Sequence, residues 1–295
     1  MGMIIFKKVQ GWVFESKNIV GLLSAVILFC IGLAISGNVW LYFNLASLFI
    51  VLGGTIGATF ICFPSKRLSC VHKVVLSSYR TKIKEPEEIV EIMVDLSVKR
   101  KMQGLLSLQE DEEETSLLFL RRALGFLVDN FRTSQIRDFL STEMYFFRIR
   151  REETERVLRT MAEVAPSFGL VGSIVGLIGM LAGVGDATVI MSTVPIALTS
   201  TLYGIIVANF FLLPFAENVR ERTHRELILQ KIILEGVVAI ESEVKPRVLE
   251  RKLKSFLTPS SRNNRLVSLK SIQEKFNITA ETPRSITAQA GTAEA

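Results

Sequence analysis

Two hydroxyl side chains, Ser173 and Thr201, have the residue types and positions that best fit chemistry inside a membrane. They lie in two apolar segments joined by a short turn, and each is fourteen residues from Ala187 in that turn. At about 1.5 Å of rise per residue, both lie about 20 Å from the turn and therefore at one depth. Two hydroxyls that face each other at one depth can ligate a cation or hold water.

A second explanation of these hydroxyls stays open, because Ser and Thr in membrane helices often donate to the carbonyl four residues earlier. The whole stretch 165–216 carries one formal charge, Asp186, at its turn. A membrane ion site normally holds its own ionisable group. If the hydroxyls line an ion path, the sequence predicts that a second protein supplies its charged group.

Small residues predict how the two apolar segments pack. Glycines spaced three and four residues apart form a seam on the first segment, and small residues form a matching stripe on the second. The seam is Gly169, Gly172, Gly176, Gly179 and Gly183, and the stripe is Ala197, Thr201, Gly204 and Ala208. Ser173 lies on the seam, so the two hydroxyls are expected on facing surfaces.

Pro166 and Pro214 lie at the ends of the two segments that are far from the turn. Proline is tolerated in membrane helices because neighbouring helices and water satisfy the freed carbonyls. The two prolines fit this purely structural explanation, and they also fit a pair of kinks that transmits motion out of the membrane. The residues alone leave both interpretations open.

Composition and hydropathy place most of this chain in a membrane. The sequence has 295 residues, of which 49% are hydrophobic, and its mean hydropathy is +0.37, which is too apolar for an ordinary cytosolic domain. Residues 18–64 contain no Asp, Glu, Lys or Arg, which leaves room for two spans of about 20 residues. The sequence predicts four transmembrane helices, near 19–35, 43–63, 165–183 and 194–215, with short turns at 36–42 and 184–193.

The net charge of +6 reflects topology rather than nucleic-acid binding. Lys and Arg cluster directly after the second and fourth predicted spans, and the two short turns contain none. The positive-inside rule then places both termini and the long middle segment in the cytoplasm. No small-residue cleavage site follows the first span, so we expect it to be retained.

The predicted fold is an all-α membrane protein with a helical cytoplasmic domain between the second and third spans and a helical C-terminal extension. The predicted segments are 1–64 with two spans, 65–164 as a cytoplasmic arm, 165–216 with two spans, 217–257 as the extension, and 258–295 as a disordered tail. In the arm, one helix begins at Pro86 and ends at Gly104. Another begins near Thr133 and runs unbroken to Pro166, with ion pairs Glu152–Arg156 and Glu155–Arg159.

Metal, disulfide and enzyme chemistry find no support in the sequence. The three cysteines, Cys30, Cys62 and Cys70, lie in spans or on the cytoplasmic side, where thiols stay reduced. The chain has two histidines, and no nucleophile elbow or phosphate-binding loop is present. We expect no catalytic site, no metal and no resident cofactor.

Four sequence stretches resemble MotA/PomA, the flagellar motor stator subunits of the MotA/TolQ/ExbB superfamily. The resemblance covers residues 20–257. It rests on Leu48–Thr55, on Gly104–Leu108, on the hairpin motifs Ala165–Gly169, Val175–Leu177, Thr201–Gly204, Ala208–Asn209 and Pro214, and on Gly236–Ile240 with Pro246–Val248.

The resemblance implies a homopentamer around a dimer of a single-span MotB/PomB partner that supplies an ion-binding Asp. It implies an ion path past Gly169, Ser173 and Thr201, with Ser200 adjacent, and assigns torque coupling to Pro166 and Pro214. The translocated ion is H+ or Na+: sodium-driven members usually carry Thr where Ser173 stands and proton-driven members carry Ala. The implied location is the bacterial inner membrane, in contact with lipid.

The resemblance also implies contacts to the rotor switch protein FliG. Arg100 and Lys101 fill the basic positions of the family's rotor contact. The acidic position falls on Gln109, with Glu110 next to it, so the match is imperfect there. Read from the residues alone, Arg100 and Lys101 fit solvated surface charges better than a rotor contact, and only the resemblance makes the two explanations equal.

Two other functions stay open at this point. One is an ExbB/TolQ-like energiser of envelope proteins, although those typically have one span before the cytoplasmic domain. The other is a non-conducting membrane scaffold whose polar face only packs helices. Motility of a deletion strain separates the stator from the energiser, and ion flux separates both from the scaffold.

Overall fold

The structure is a computed structural model that describes residues 16–35, 37, 39–80 and 83–258, and those residues form helices joined by short turns. The α-helices are α1 (Ser16–Ile35), α2 (Leu45–Cys62), α3 (Ser65–Arg80), α4 (Pro86–Gln103), α5 (Gln109–Glu114), α6 (Leu118–Val128), α7 (Thr133–Ala182), α8 (Ala187–Ile206), α9 (Leu213–Glu241) and α10 (Pro246–Leu253). Short 3-10 turns occupy Val39–Tyr42, Leu105–Leu108 and Lys254–Phe256, and a π-helical segment occupies Val207–Leu212.

Long apolar helices confirm a multi-pass membrane protein. In the described residues, α2, α7 and the stretch from α8 into α9 are long and apolar enough to cross a membrane. α1 adds the shorter apolar stretch Leu23–Ile35. These helices coincide with the four predicted spans, and the exact number of crossings stays a prediction. The predicted tail lies outside the described residues from residue 259 onward.

The prediction of an unbroken helix from Thr133 into the membrane is confirmed. α7 is 50 residues long and continues through Pro166. Its predicted pair of Glu155 with Arg159 is present at 2.9 Å. The other predicted pair is wrong, because Glu152 accepts from Arg148, one turn earlier, at 2.6 Å.

The turn after α7 is much shorter than the predicted loop 184–193. α8 begins at Ala187, seven residues before the predicted start of the fourth span. Asp186 is its N-cap and accepts from the Thr188 hydroxyl at 2.6 Å and the Thr188 N–H at 2.8 Å, which lowers the pKa of this carboxyl. A capping carboxylate satisfies N–H groups that open a helix, so the one charge of the hairpin has a structural task.

The acidic run Glu110–Glu114 lies in a short helix of its own, α5. Three carboxylates in its first turn complement the helix dipole. α4 ends as predicted at Gly104, whose φ of 85° favours glycine.

By its internal contacts the described chain forms two compact units. The first comprises residues 85–137 and 231–258, and the second comprises the described residues of 16–84 and 138–230. The first unit has a fully buried aliphatic core. Its largest members are Ile89, Met93, Leu108, Leu120, Leu124, Leu127, Ile136, Ile232, Leu234, Ile240 and Leu249. Burying each such side chain contributes about 1.5–3 kcal/mol before entropy is counted.

Glu235 of α9 joins three helices of the first unit. Its carboxylate accepts from Arg137 of α7 at 2.9 Å and from Lys252 of α10 at 2.6 Å, and Lys231 lies at 3.4 Å. Burial raises the pKa of Glu235, but the two hydrogen-bonded cations lower it by more, to about 2 from 4.5. The ionised carboxylate is therefore the form that holds these helices together.

We expect Glu235→Gln to destabilise the first unit. A pKa depressed from 4.5 to about 2 corresponds to about 3 kcal/mol at neutral pH, and less in practice because both cations are nearly half exposed to water. The stabilisation is complete above pH 5 and is lost as the pH falls toward about 2, because the carboxylate is then protonated. Thermal unfolding of the purified protein at several pH values measures it.

The matched control for that variant is Glu110→Gln. Glu110 is 88% exposed and lies 3.9 Å from Lys99, so its loss is expected to change stability by less than about 0.5 kcal/mol. Equal melting temperatures of the two variants at neutral pH would contradict the structural role of Glu235.

In the second unit, α3 packs against the parts of α7 and α9 that continue beyond their apolar segments. Val71 lies in one apolar cluster with Val157, Ala162, Ala216 and Val219. This cluster adjoins the ends of the membrane segments, because Ala165 and Ala208 belong to it as well.

Candidate functional site

The two small stripes of the hairpin meet as the sequence predicts. A Cβ added to Gly176 would lie 2.5 Å from the Ala197 backbone nitrogen. A Cβ added to Gly204 would lie 2.8 Å from the Ala165 carbonyl and 3.2 Å from the Cα of Gly169. Side chains at these positions would push the helices apart, so glycine permits the contact that brings the hydroxyls together.

The hydroxyls of Ser173 and Thr201 are in direct contact. Their oxygens are 2.5 Å apart, and the Ser173 oxygen lies 2.5 Å from the Ala197 carbonyl and 3.2 Å from the Gly169 carbonyl. The structure therefore brings three of the predicted ion-path residues, Gly169, Ser173 and Thr201, to one place.

The number of available protons indicates which hydroxyl of this pair donates the hydrogen bond. Carbonyls only accept, and each hydroxyl has one proton. When Ser173 donates to Ala197, its contact with Thr201 requires Thr201 to donate to Ser173. The free lone pairs of Thr201 then point away from the bond, and they suit a cation or a water proton.

Ser173 and Thr201 differ in how well they fit the alternative that each hydroxyl bonds only to its own helix. Ser173 contacts the Gly169 carbonyl four residues earlier, as that alternative predicts. The corresponding carbonyl for Thr201 is that of Ala197, and it accepts from Ser173 of the other helix instead. The pair therefore joins two helices.

The hydroxyl pair lies at an open, otherwise apolar depression of about 420 Å³. Its other lining residues are Leu177, Ala197, Leu198, Leu202 and Ile205. Leu198 is 69% exposed, so this surface is suited to contact with another helix.

Ser200 does not share this depression. It is fully buried, and its hydroxyl donates to the Ile196 carbonyl four residues earlier at 2.7 Å. Its side chain fills the space beside Gly172. In the described structure, Ser200 helps to pack α7 on α8.

The two predicted prolines occupy different settings. Pro166 lies within α7, beside Gly204. Pro214 is the second residue of α9 and lies two residues after the end of the π-helical segment Val207–Leu212. Proline has no N–H for the preceding turn, and a local change to wider hydrogen bonding accommodates this.

A polar network between α2 and α8 was missed by the sequence analysis. The Tyr203 hydroxyl donates to the Tyr42 carbonyl at 2.6 Å and accepts from the Asn44 N–H at 2.8 Å. Further along, the hydroxyls of Ser47 and Thr199 are 2.7 Å apart. These bonds fix α8 beside α2, and the alignment of Ser47, Val51, Thr55 and Thr59 every four residues was the signal available.

Gly54 of the resemblance motif also has a packing task. The ring of Phe168 lies where a Cβ of Gly54 would be. Phe168 is adjacent to Gly169, so α2 supports the helix face that carries Ser173.

The predicted rotor-contact residues lie in the first unit and differ in availability. Arg100 donates to the Ile240 carbonyl at the end of α9 and lies 3.5 Å from Glu243, with its side chain 19% exposed. Lys101 and Glu110 are exposed. Arg100 is therefore partly committed to holding α4 on α9, which sequence reasoning did not anticipate.

Comparisons with known proteins agree with this architecture. A model of the MotA/TolQ/ExbB proton channel family matches residues 109–232. Motility protein A of Borreliella burgdorferi is 31% identical over 225 residues, which cover 75% of this chain and 85% of that protein. The chain belongs to the MotA/TolQ/ExbB proton channel family. The resemblance to MotA/PomA subunits is thereby confirmed.

Further relatives extend the likeness over most of the chain. The uncharacterized protein YtxD of Bacillus subtilis is 30% identical, over 82% of this chain and 90% of its own length. The solved MotAB structure of C. jejuni shares the fold, with a TM-score of 0.78 over 86% of this chain and 99% of that one at 22% identity. The family is one of channel subunits rather than enzymes, and its model includes the hydroxyl pair.

Proposed function

We propose that this chain is a flagellar motor stator subunit that forms an ion channel with a MotB/PomB-type partner and converts ion-motive force into torque. The observation that carries the proposal is the Ser173–Thr201 hydroxyl pair, 2.5 Å between oxygens, on helices without an ionisable group at that depth. Such a pair can assist an ion but cannot balance its charge. The partner therefore supplies the acid.

The proposed ion path runs past Gly169, Ser173 and Thr201. Support comes from the depression that Ser173 and Thr201 both line, from the contact of Ser173 with the Gly169 carbonyl, and from the free lone pairs of Thr201. Ser200 keeps a supporting role in packing. The protein needs no resident cofactor in this scheme, and H+ or Na+ is the translocated substrate.

The proposed torque-coupling residues are Pro166 and Pro214. Pro166 lies at the close α7–α8 contact beside Gly204, and Pro214 borders the π-helical segment. A movement of the side chains at the ion path can therefore bend the nearby helix segments, because their backbone hydrogen bonding is weakened.

The proposed assembly is a homopentamer around a single-span partner with an ion-binding Asp. The relative in Borreliella is named a motility protein and the C. jejuni fold neighbour is a MotAB complex, which supports a partner of this type. The rotor partner is FliG, contacted by Arg100, Lys101 and Glu110. The exposure of Lys101 and Glu110 suits such a contact, whereas Arg100 must keep or exchange its bond to Ile240.

The proposed location is the bacterial inner membrane, with four spans, lipid contacts and both termini in the cytoplasm. The absence of Lys and Arg from the two predicted turns and their clustering after the second and fourth spans support this orientation. The arm at 65–164, the extension at 217–257 and the tail from 258 are then cytoplasmic.

A deletion strain tests the function. We expect loss of the gene to abolish or slow flagellar rotation, and expression of the chain with its cognate MotB-type partner to restore it. Swimming speed measured with sodium varied at fixed proton-motive force then identifies the coupling ion. Normal motility of the deletion strain combined with a defect in envelope-protein energisation would favour an ExbB/TolQ-like role instead.

A further inference from the structure

We propose that the outward face of α3 binds the headgroups of anionic phospholipids at the cytoplasmic surface of the membrane. The proposal rests on the membrane orientation given above, and its test is independent of motor rotation. It concerns Lys66 and Lys73, which no role described so far has used.

The first argument is the position of α3 in the chain. α2 ends at Cys62, and Phe63 has an extended backbone with φ −131° and ψ 141°, so the polypeptide leaves the direction of the span. Pro64 follows, and α3 begins at Ser65. α3 therefore starts at the membrane boundary as a separate helix.

The second argument is that α3 lies across two helices. Arg67 near its start contacts Glu153 of α7 at 3.0 Å, and the carbonyl of Ser78 near its end accepts from Arg222 of α9. Glu153 and Arg222 are twelve residues from Ala165 and eight from Pro214, which is about 18 and 12 Å along their helices. The two ends of α3 therefore differ in depth by about 6 Å, although the helix is about 24 Å long. α3 thus runs along the boundary rather than away from it.

The third argument is the division of α3 into two faces. Val71 is buried in the apolar cluster with α7 and α9, and Leu68, Val74 and Val75 pack against that cluster. Lys66 and Lys73 are seven residues apart, which places them two turns apart on one line of the helix. Both are exposed on the opposite face, together with Leu76.

The fourth argument is charge. Residues 16–84 contain no Asp or Glu, and Lys66, Arg67, Lys73, Arg80, Lys82 and Lys84 all lie between the second span and residue 85. Clusters of four to eight basic residues just inside a membrane helix attract anionic lipids. The positive-inside rule explains basic residues here, but it does not require them on the outward line of an ordered helix.

The test measures lipid selectivity of the complex with its MotB-type partner in nanodiscs. Electron spin resonance compares how strongly spin-labelled phosphatidylglycerol and phosphatidylcholine are held at the protein surface. We expect phosphatidylglycerol to be preferred, and Lys66→Gln/Lys73→Gln to reduce that preference about fivefold or more. Raising the salt to ~0.5 M should weaken the wild-type preference through screening.

The matched control is Lys101→Gln/Lys245→Gln, which removes two exposed lysines from the other unit and should leave the lipid preference unchanged. Equal retention of both lipids by the wild type, or equal effects of the two double variants, would overturn the proposal. Loss of pentamer assembly with an unchanged lipid preference would overturn it too, and would assign the face to a neighbouring subunit. None of these outcomes affects the stator assignment, since the assay involves no ion flow.

Discussion

Replacing Thr201 with Val is expected to stop motor rotation while the stator complex still assembles. Val keeps the shape of Thr and removes the oxygen whose lone pairs face the depression. Ser173 keeps its bond to the Ala197 carbonyl, so helix packing should survive. A lost hydrogen bond to a translocating ion is worth about 1.5–3 kcal/mol, which corresponds to a rate about 10- to 150-fold lower. Tethered-cell rotation and co-purification with the partner measure the two effects.

The adjacent residue provides the matched control for that experiment. Ser200→Ala also removes one hydroxyl from α8, but this hydroxyl bonds only to the Ile196 carbonyl among its described contacts. Rotation should therefore remain near normal. Normal rotation of Thr201→Val and Ser173→Val would show that the ion does not pass these hydroxyls.

Replacing Gly176 with Val is expected to prevent formation of the complex altogether. The added Cβ would lie 2.5 Å from the Ala197 backbone nitrogen and 2.8 Å from its Cα. Backbone cannot rotate away as a side chain can, so α7 and α8 must separate. Overpacking of this kind costs at least about 3 kcal/mol, and the amount of subunit in the membrane should fall several-fold. Quantitative immunoblotting of membranes and co-purification with the partner measure this loss.

Gly57→Val is the control for steric effects of valine in a membrane helix. A Cβ on Gly57 of α2 has no atom within 4 Å outside its own helix. Equal membrane levels of the Gly57 and Gly176 variants would mean that the α7–α8 contact does not determine assembly.

Features set by local sequence periodicity were predictable here. The glycine seam, the unbroken α7 and the break at Gly104 follow from spacing and residue type, and each is present. The depth argument for Ser173 and Thr201 needed only equal counts from the turn, and the two oxygens are in contact. Because one short turn joins the two helices of a hairpin, residues at equal counts from that turn lie at the same depth.

Features that depend on tertiary contacts were not predictable in the same way. Ser200 and Thr201 are neighbours in sequence, but a helix rotates about 100° between them, and only packing decides which one faces the depression. Arg100 looks like a surface charge until α9 brings the Ile240 carbonyl beside it. Spacing likewise did not determine whether Glu152 pairs with Arg148 or with Arg156, because each lies one helical turn away.

The wide turn at Val207–Leu212 has a geometric consequence for everything that follows it. A π-helical turn holds one residue more than an α-helical turn, so it acts as a single-residue insertion in an otherwise regular rod. Without that extra residue, the faces of α9 would be rotated by about 100° relative to α8. Ala216 and Val219 would then leave the apolar cluster that they form with Val71 of α3. Insertion or deletion of a residue at this turn would therefore be poorly tolerated.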